Sequence, residues 1–438
     1  MSIKVHTVEG DLVPLGRKDR GLEDLFTDIA HICGPRSRPL RFAITNMSGD
    51  LWHCEIEVMQ SAEDALMPSI FSFRRRCHED TKAFNAMMVI PTGIDCAVGG
   101  HAGDATPAAR VLASLCDHLI VNPNVVNASD INEQTENMLY VEGSVICRLL
   151  MGTVALRKVR SNRVLVVTEA RDDGDWFIDQ VVNTTNAARA AFGIDCSKVV
   201  VLKSGPSIKM MRSSSGRAIG EIVNLEPLFA MLAAERPNYD AVALSSKVAP
   251  GTDIRRLYET YFRSECPNPW GGAEAVLTHA VSALFDVPSA HAPTLEEMSL
   301  RTESLGQVDP RKAAEAISTS YFFSVLKGLS RAPAVVPQAV EFNDPGVLAA
   351  EDISCLIIPD KCVGLPTLAA LAQGIRVIAV RGNTNLMKNE LERLPFAQGR
   401  LWFVENYLEA AGVIAAMKVG VHPLTVKRPL APARVVVV

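Results

Sequence analysis

The sequence predicts an α/β protein built on parallel, Rossmann-like sheets in two or three layers or domains. Three observations carry that expectation. Short runs of consecutive apolar residues alternate with helical patterns, the signature of strands buried on both faces. Glycine-led loops stand where such runs turn into helices. At 438 residues the chain exceeds the roughly 250–300 that one core holds. We therefore expect units at 1–160, 161–330 and 331–438.

Along the chain, a helical pattern over Gly21–Cys33 precedes strands at Leu40–Asn46 and Leu51–Met59. In the second strand His53, Glu55 and Glu57 alternate with Trp52, Cys54, Ile56 and Val58. The basic triplet Arg74–Arg76 fits a solvated face. Strand Ala86–Ile90, a glycine-rich loop, helix Pro107–Leu115 and strand His118–Val121 then form a βαβ order. A second series predicts strand Arg163–Thr168, helix Trp176–Ala191, strand Lys198–Leu202, helix Gly220–Glu235 and strand Ala241–Leu244. Helices follow over Gly271–Leu284 and Asp309–Leu329, the latter with Asp309 as N-cap and Pro310 at its first position. Ala332–Pro345 reads as a linker. Strand Cys355–Ile358, helix Pro366–Gln373 with Gly374 past its end, strand Val377–Val380 and helix Asn406–Met417 complete the order.

With 48% hydrophobic and 21% charged residues and a net charge of −5, the chain shows no basic footprint for nucleic acid or a membrane surface. Its ten cysteines are scattered without a CxxC pair, which suits a reducing compartment. The start MSIKVHTVEG lacks the apolar core of a signal peptide, and no apolar run is long enough to span a bilayer. A cytoplasmic protein is expected, and a homo-oligomer is the base-rate expectation.

The stretch PTGIDCAVGGHAGDATP places Gly93, Gly99, Gly100 and Gly103 between a strand and a helix. Glycines there let backbone N–H groups approach an anion at a positive helix end. The spacing is neither GxGxxG nor a P-loop. His101 would act as acid–base residue with Asp104 orienting it, unless Asp104 caps the helix; Asp95 and Cys96 are further reactive groups. Asn122, Asn124 and Asn127 stand at a strand's carboxyl end, where open α/β sheets bind ligands. Glu142 is a candidate acid or metal ligand.

In NPWGGAEAVLTH, Trp270 could stack on a flat group and Gly271–Gly272 permit close approach. Glu274 and His279 lie five apart, about 500° around a helix, so they do not share a face as a HExxH pair would. A metal site from Glu274, His279 and His291 is the alternative to a polar substrate pocket. Lys327 and Arg331 close a helix, where cations suit the dipole or an anionic ligand.

The segment GLPTLAALAQGIRVIA resembles the donor-binding segment of two-Rossmann-domain glycosyltransferases over about twenty residues. That resemblance implies an anion at the amides of Gly364 and Leu365. Arg381, Asn383 and Asn385 stand after the next strand. The wider run of PTG, GGHAGD, NPNVVNA, YVEG, NPWGGAEA and GIRVIAV resembles a bacterial and cyanobacterial family of unknown function.

The leading expectation is an enzyme of group transfer or hydrolysis acting on a small anionic metabolite in a crevice between α/β units. A metal-dependent lyase or hydrolase and a non-catalytic metabolite-binding protein are the alternatives. The sequence specifies no cofactor.

Overall fold

The computed structural model describes residues 3–16, 20–61, 69–128, 130–170, 176–250, 254–294, 305–318, 320–337, 346–433 and 435–436. Apolar runs became strands as expected, and they assort into two principal sheets. The first has six strands, all parallel: Leu401–Val404, Arg376–Val380, Ile353–Pro359, Asn85–Met88, His118–Val121 and Met138–Tyr140. Numbered 1 to 6 along the chain, neighbours run 3-2-1-4-5-6. Ile353–Pro359 and Asn85–Met88 are buried at every position, because helices cover both faces and leave no solvent-facing side.

Between the third and fourth of these strands the chain leaves the sheet and builds, with its N-terminal part, a mixed sheet of ten strands. Val199–Leu202, Val164–Glu169, Ala241–Pro250, Ser207–Arg212 and Ser289–Thr294 pair in parallel. Ala218–Val223, Lys4–Leu12, Trp52–Gln60 and Ser37–Asn46 continue it antiparallel. Val363–Gly364, only four residues after the parallel strand Ile353–Pro359, pairs with Ser37–Asn46 and ties the two sheets together. The fold is thus α/β, with one fully parallel sheet, while the larger sheet is half antiparallel instead of the parallel one expected.

Two predicted helices need correction. Ala218–Val223 is a strand, and the helix begins only at Glu226, next to Pro227. The long helix over Asp309–Leu329 is broken into a 3-10 turn Pro310–Lys312, helix Ala313–Ile317 and helix Phe322–Ser330. Asp309 does cap the first piece by accepting from Arg311 N–H. The linker expected at Ala332–Pro345 holds a strand, Ala334–Pro337, and residues 338–345 lie outside the described residues. Arg76, expected on a solvated face, instead donates to the carbonyls of Gln373, Gly374 and Ile353, closing the helix Leu365–Gln373.

Candidate functional site

A cavity of about 270 Å³ lies where the two sheets meet. Its wall collects the residues that follow four of the parallel strands: Pro91, Thr92 and Ile94; Asn122, Asn124 and Asn127; Glu142 and Gly143; and Cys362, Gly364 and Pro366. Opposite them stand Trp270, Gly271, Glu274, Thr278 and His279 from the helix Gly271–Phe285, with His291, Tyr261 and Glu315. Three helices of eight or more residues, starting at Gly143, Gly271 and Leu365, begin at this wall.

One carboxylate–imidazole pair is held from both sides. Glu142 is the N-cap of Gly143–Leu150: its Oε2 accepts from Ser144 N–H at 2.8 Å and from the Ser144 hydroxyl. Its Oε1 lies 2.5 Å from His279 Nδ1 and 3.4 Å from Thr278 Oγ1. Close as it is, the contact lacks hydrogen-bond alignment, and His279 Nδ1 has no hydrogen-bond partner among the described residues. Burial alone would raise the Glu142 pKa; the His279 imidazole and the Ser144 donors outweigh it and hold the carboxyl below its ordinary value. Gly143 makes room, because a Cβ there would stand 2.8 Å from His279 Cε1. Nε2 of His279 takes no hydrogen bond from the described residues, and the Cε1–Nε2 edge of the ring lies against Gly143, where a Cβ would stand 3.2 Å from Nε2; both residues line the cavity.

A second pair is looser. His291 Nδ1 is 3.8 Å from Glu274 Oε1, and its Nε2 meets Ser246 Oγ at 2.9 Å. Glu274 accepts no hydrogen bond from the described residues and presents its carboxylate to the cavity. Deeper in the wall, Arg217 bridges Glu55 and Glu57, all three at most 1% exposed at the side chain. Arg41 donates to Thr92 O and stands 3.7 Å from Glu57. The polar face of the alternating strand thus points into the protein, where the two acids are neutralised by two arginines.

The sequence-predicted site residues divide sharply. Among the described residues no three His, Cys, Asp or Glu side chains gather to hold a metal ion: His279 faces Glu142, whereas His291 faces Glu274. His101 is not in the cavity wall. Its Nδ1 meets the Tyr261 hydroxyl at 2.9 Å, and Tyr261 donates onward to Glu315. Burial, reinforced by Lys312 and Arg311, pulls the His101 pKa down to about 4, so the ring is neutral. Asp104 does not orient that ring; its Oδ1 accepts from the amides of Gly99 and His101. Burial lifts Asp104 to about 6 and raises Asp95 as well, the latter in left-handed backbone at φ 57°.

The expected anion cradle is filled by the protein itself. The amides of Val98 and Ala102 point at Asn383 and Glu315 oxygens, as those of Gly99 and His101 do at Asp104. A Cβ on Gly93 would meet Ala218 O at 2.7 Å, on Gly100 Cys96 O at 2.1 Å and on Gly103 Ala128 Cβ at 2.4 Å. These glycines serve close packing. Asn122 grips the Ile90 peptide by both N–H and C=O, and Asn383 grips Val98 in the same way. Asn124 holds Gly99 O, and Asn127 joins Tyr140, Asn132 and Ser324. Of the remaining residues, Trp270 lines the cavity edge-on to Tyr261. Gly271 and Gly272 let their helix approach Thr92 and Ala218. Gly364 lines the cavity as N-cap of its helix.

Fold and site together define an α/β protein with a cavity lined by imidazoles and carboxylates among its polar groups at the carboxyl ends of a parallel sheet. The chain belongs to the family described as protein of unknown function (DUF3326), whose profile matches residues 85–427, from the first parallel strand to beyond the last helix. It is 31% identical over 347 residues to an uncharacterized lipoprotein of Synechococcus sp., covering 78% of this chain and 93% of that protein. Among the described residues no helix is long and apolar enough to cross a membrane.

Proposed function

We propose that the protein is an enzyme that transfers a proton to or from a small anionic metabolite bound in this cavity, with His279 as acid–base residue and Glu142 positioning it. The parallel sheet then acts as a Rossmann-like sheet. Its 3-2-1-4-5-6 order reverses between Asn85–Met88 and Ile353–Pro359, and ligands of open α/β sheets bind outside the carboxyl ends at such a point. The observation that carries the reading is that the cavity sits there with the His279–Glu142 pair in its wall and no hydrogen bond taken by His279 Nε2 from the described residues. The three helix starts supply positive ends for the anionic group, and Glu274 offers a second acceptor for a substrate hydroxyl or amine. Group transfer or hydrolysis fits this arrangement through activation of a hydroxyl or water; Cys147, whose thiol burial pushes up to about 12, is no nucleophile.

The test begins with thermal-shift screening of carboxylated and phosphorylated metabolites, followed by turnover of the hits. His279→Asn should lower turnover by roughly 100-fold or more with binding little changed. His101→Gln, behind the wall, should cost much less. Full turnover by His279→Asn would overturn the proposal.

The ten cysteines, all unpaired, support a reducing cytoplasmic setting. The relative's name as a lipoprotein points instead to a membrane-anchored one. Cell fractionation decides between them.

A further inference from the structure

Lys327 and Arg331 end the helix Phe322–Ser330, where the bland role for cations is to meet the last carbonyls. The structure gives that role to another residue. Asn162 Nδ2 donates to Leu329 O and Ala332 O, both at 2.8 Å, and Asn162 N–H to Ser330 O at 2.8 Å. Lys327 turns away to Asn132 O at 3.1 Å and covers the Phe192 ring at 4.8 Å. Arg331 is exposed and has no partner among the described residues.

These two cations line a crevice of about 460 Å³ together with Lys158 and Arg160, which reach it from the loop after strand Val154–Arg157. Glu136 is the one acid in its wall. Lys158 donates to His118 Nε2 at 3.0 Å, and burial followed by the Lys158 charge keeps that imidazole below its ordinary pKa, so His118 adds no charge. Arg160, like Arg331, is exposed without a partner among the described residues. Four cations facing one acid across a concave space is a repulsive arrangement unless an anion occupies it.

We propose that this crevice is a second ligand site, separate from the cavity, that binds a phosphate-bearing small molecule. Arg160 and Arg331 would fork onto phosphate oxygens, and Lys158 beside Arg160 and Lys327 beside Arg331 would add point charges. The concave shape favours a compact solute over a flat surface such as a bilayer. Occupancy would also reach the cavity by hydrogen bonds. Lys327 holds Asn132, whose Nδ2 donates to Asn127 Oδ1 at 3.2 Å, and Asn127 lines the cavity.

The full-length protein is titrated by calorimetry with inorganic phosphate, pyrophosphate and adenosine triphosphate at low ionic strength. Saturable one-to-one binding is expected, tightening from phosphate to triphosphate. Arg160→Ser and Arg331→Ser should each weaken it roughly tenfold. Both residues are exposed, so the variants should keep the wild-type circular dichroism and melting temperature. Glu142→Gln and His279→Asn should bind as wild type does, which separates this site from the cavity. No saturable binding of any probe, or binding unchanged in both serine variants, overturns the proposal. Preferential binding to phosphatidylglycerol vesicles over the soluble probes also overturns it.

Discussion

Replacing Glu142 by glutamine tests the centre of the cavity without changing its volume. Both carboxylate oxygens accept: Oε2 from the Ser144 amide and hydroxyl, Oε1 from Thr278 and toward His279 Nδ1. An amide has one acceptor oxygen, so in either orientation its NH₂ faces a buried donor. A buried donor left unsatisfied costs about 1–3 kcal/mol, and a weakened N-cap adds about 1 kcal/mol. We expect Glu142→Gln to lose roughly 2–3 kcal/mol in urea unfolding near pH 7.5. Glu142 titrates below its ordinary value in the folded protein. Its contribution is therefore present above the unfolded carboxyl pKa and lost as pH falls through the lower folded one. The difference between wild type and variant should shrink along that descent. With nitrogen-15 histidine labelling, the wild-type His279 should show its proton on Nδ1, and the variant a shift toward Nε2 when the amide turns its NH₂ to the ring. A loss under about 0.5 kcal/mol, or a gap that does not shrink with falling pH, would refute the assignment of Glu142 as a doubly accepting anchor.

Arg217→Met leaves Glu55 and Glu57 buried with only Arg41 nearby and should cost about 3–5 kcal/mol by urea midpoint. Part of that loss should return as the solution is acidified and the stranded carboxyls take up protons, whereas wild type loses stability there because Glu55 titrates below its ordinary value. Gly103→Ala and Gly193→Ala separate strain from crowding. Both glycines have φ near 65–68°, but a Cβ on Gly103 meets Ala128 at 2.4 Å and on Gly193 meets nothing within 4 Å. Each should lose about 1 kcal/mol to strain, and Gly103→Ala a further 1–3 kcal/mol, roughly, to overpacking; equal melting temperatures would contradict the packing role. Asn122→Leu frees the Ile90 peptide from both its side-chain bonds. It should cost about 2–4 kcal/mol and raise hydrogen exchange at the Ile90 amide, and unchanged exchange there would show that the grip is idle.

The strands of the parallel sheet were legible because burial on both faces leaves a run that is apolar almost throughout, as in Cys355–Ile358 of Ile353–Pro359. The mixed sheet was harder. In AIGEIV the alternation of Ile219, Glu221 and Val223 with Ala218, Gly220 and Ile222 is the strand signal, yet it adjoins a helix-forming stretch and was absorbed into it. Pro227 beside the true helix start at Glu226 marks the boundary. In the broken helix, the Ser318–Tyr321 stretch with its serines was the stop signal between two helix pieces. Lys4–Leu12 pairs with Trp52–Gln60 along its whole length and with Ala218–Val223 at its start, partners that no local window contains.

The candidate site shows why spacing argued better than composition. A spacing of five positions puts Glu274 and His279 on different faces, and the structure separates them accordingly, each acid meeting a histidine from elsewhere in the chain. The partner of His279 lies 137 positions upstream, a distance only the fold closes. The glycine-rich stretch misled for a physical reason. A glycine reports that something approaches the backbone closely or that φ is positive; it does not report whether the neighbour is a ligand or the protein. At Gly93, Gly100 and Gly103 the neighbour is Ala218, Cys96 and Ala128. The loop's amides meet the same fate, taken by Asp104, Asn383 and Glu315. What remains open to a ligand is the set of groups with one side already fixed and the other unfilled. Two imidazoles in the cavity wall belong to that set: His291, held at Nε2 by Ser246 with no hydrogen-bond partner at Nδ1 among the described residues, and His279, whose Nδ1 stands 2.5 Å from Glu142 while its Nε2 takes no hydrogen bond from the described residues.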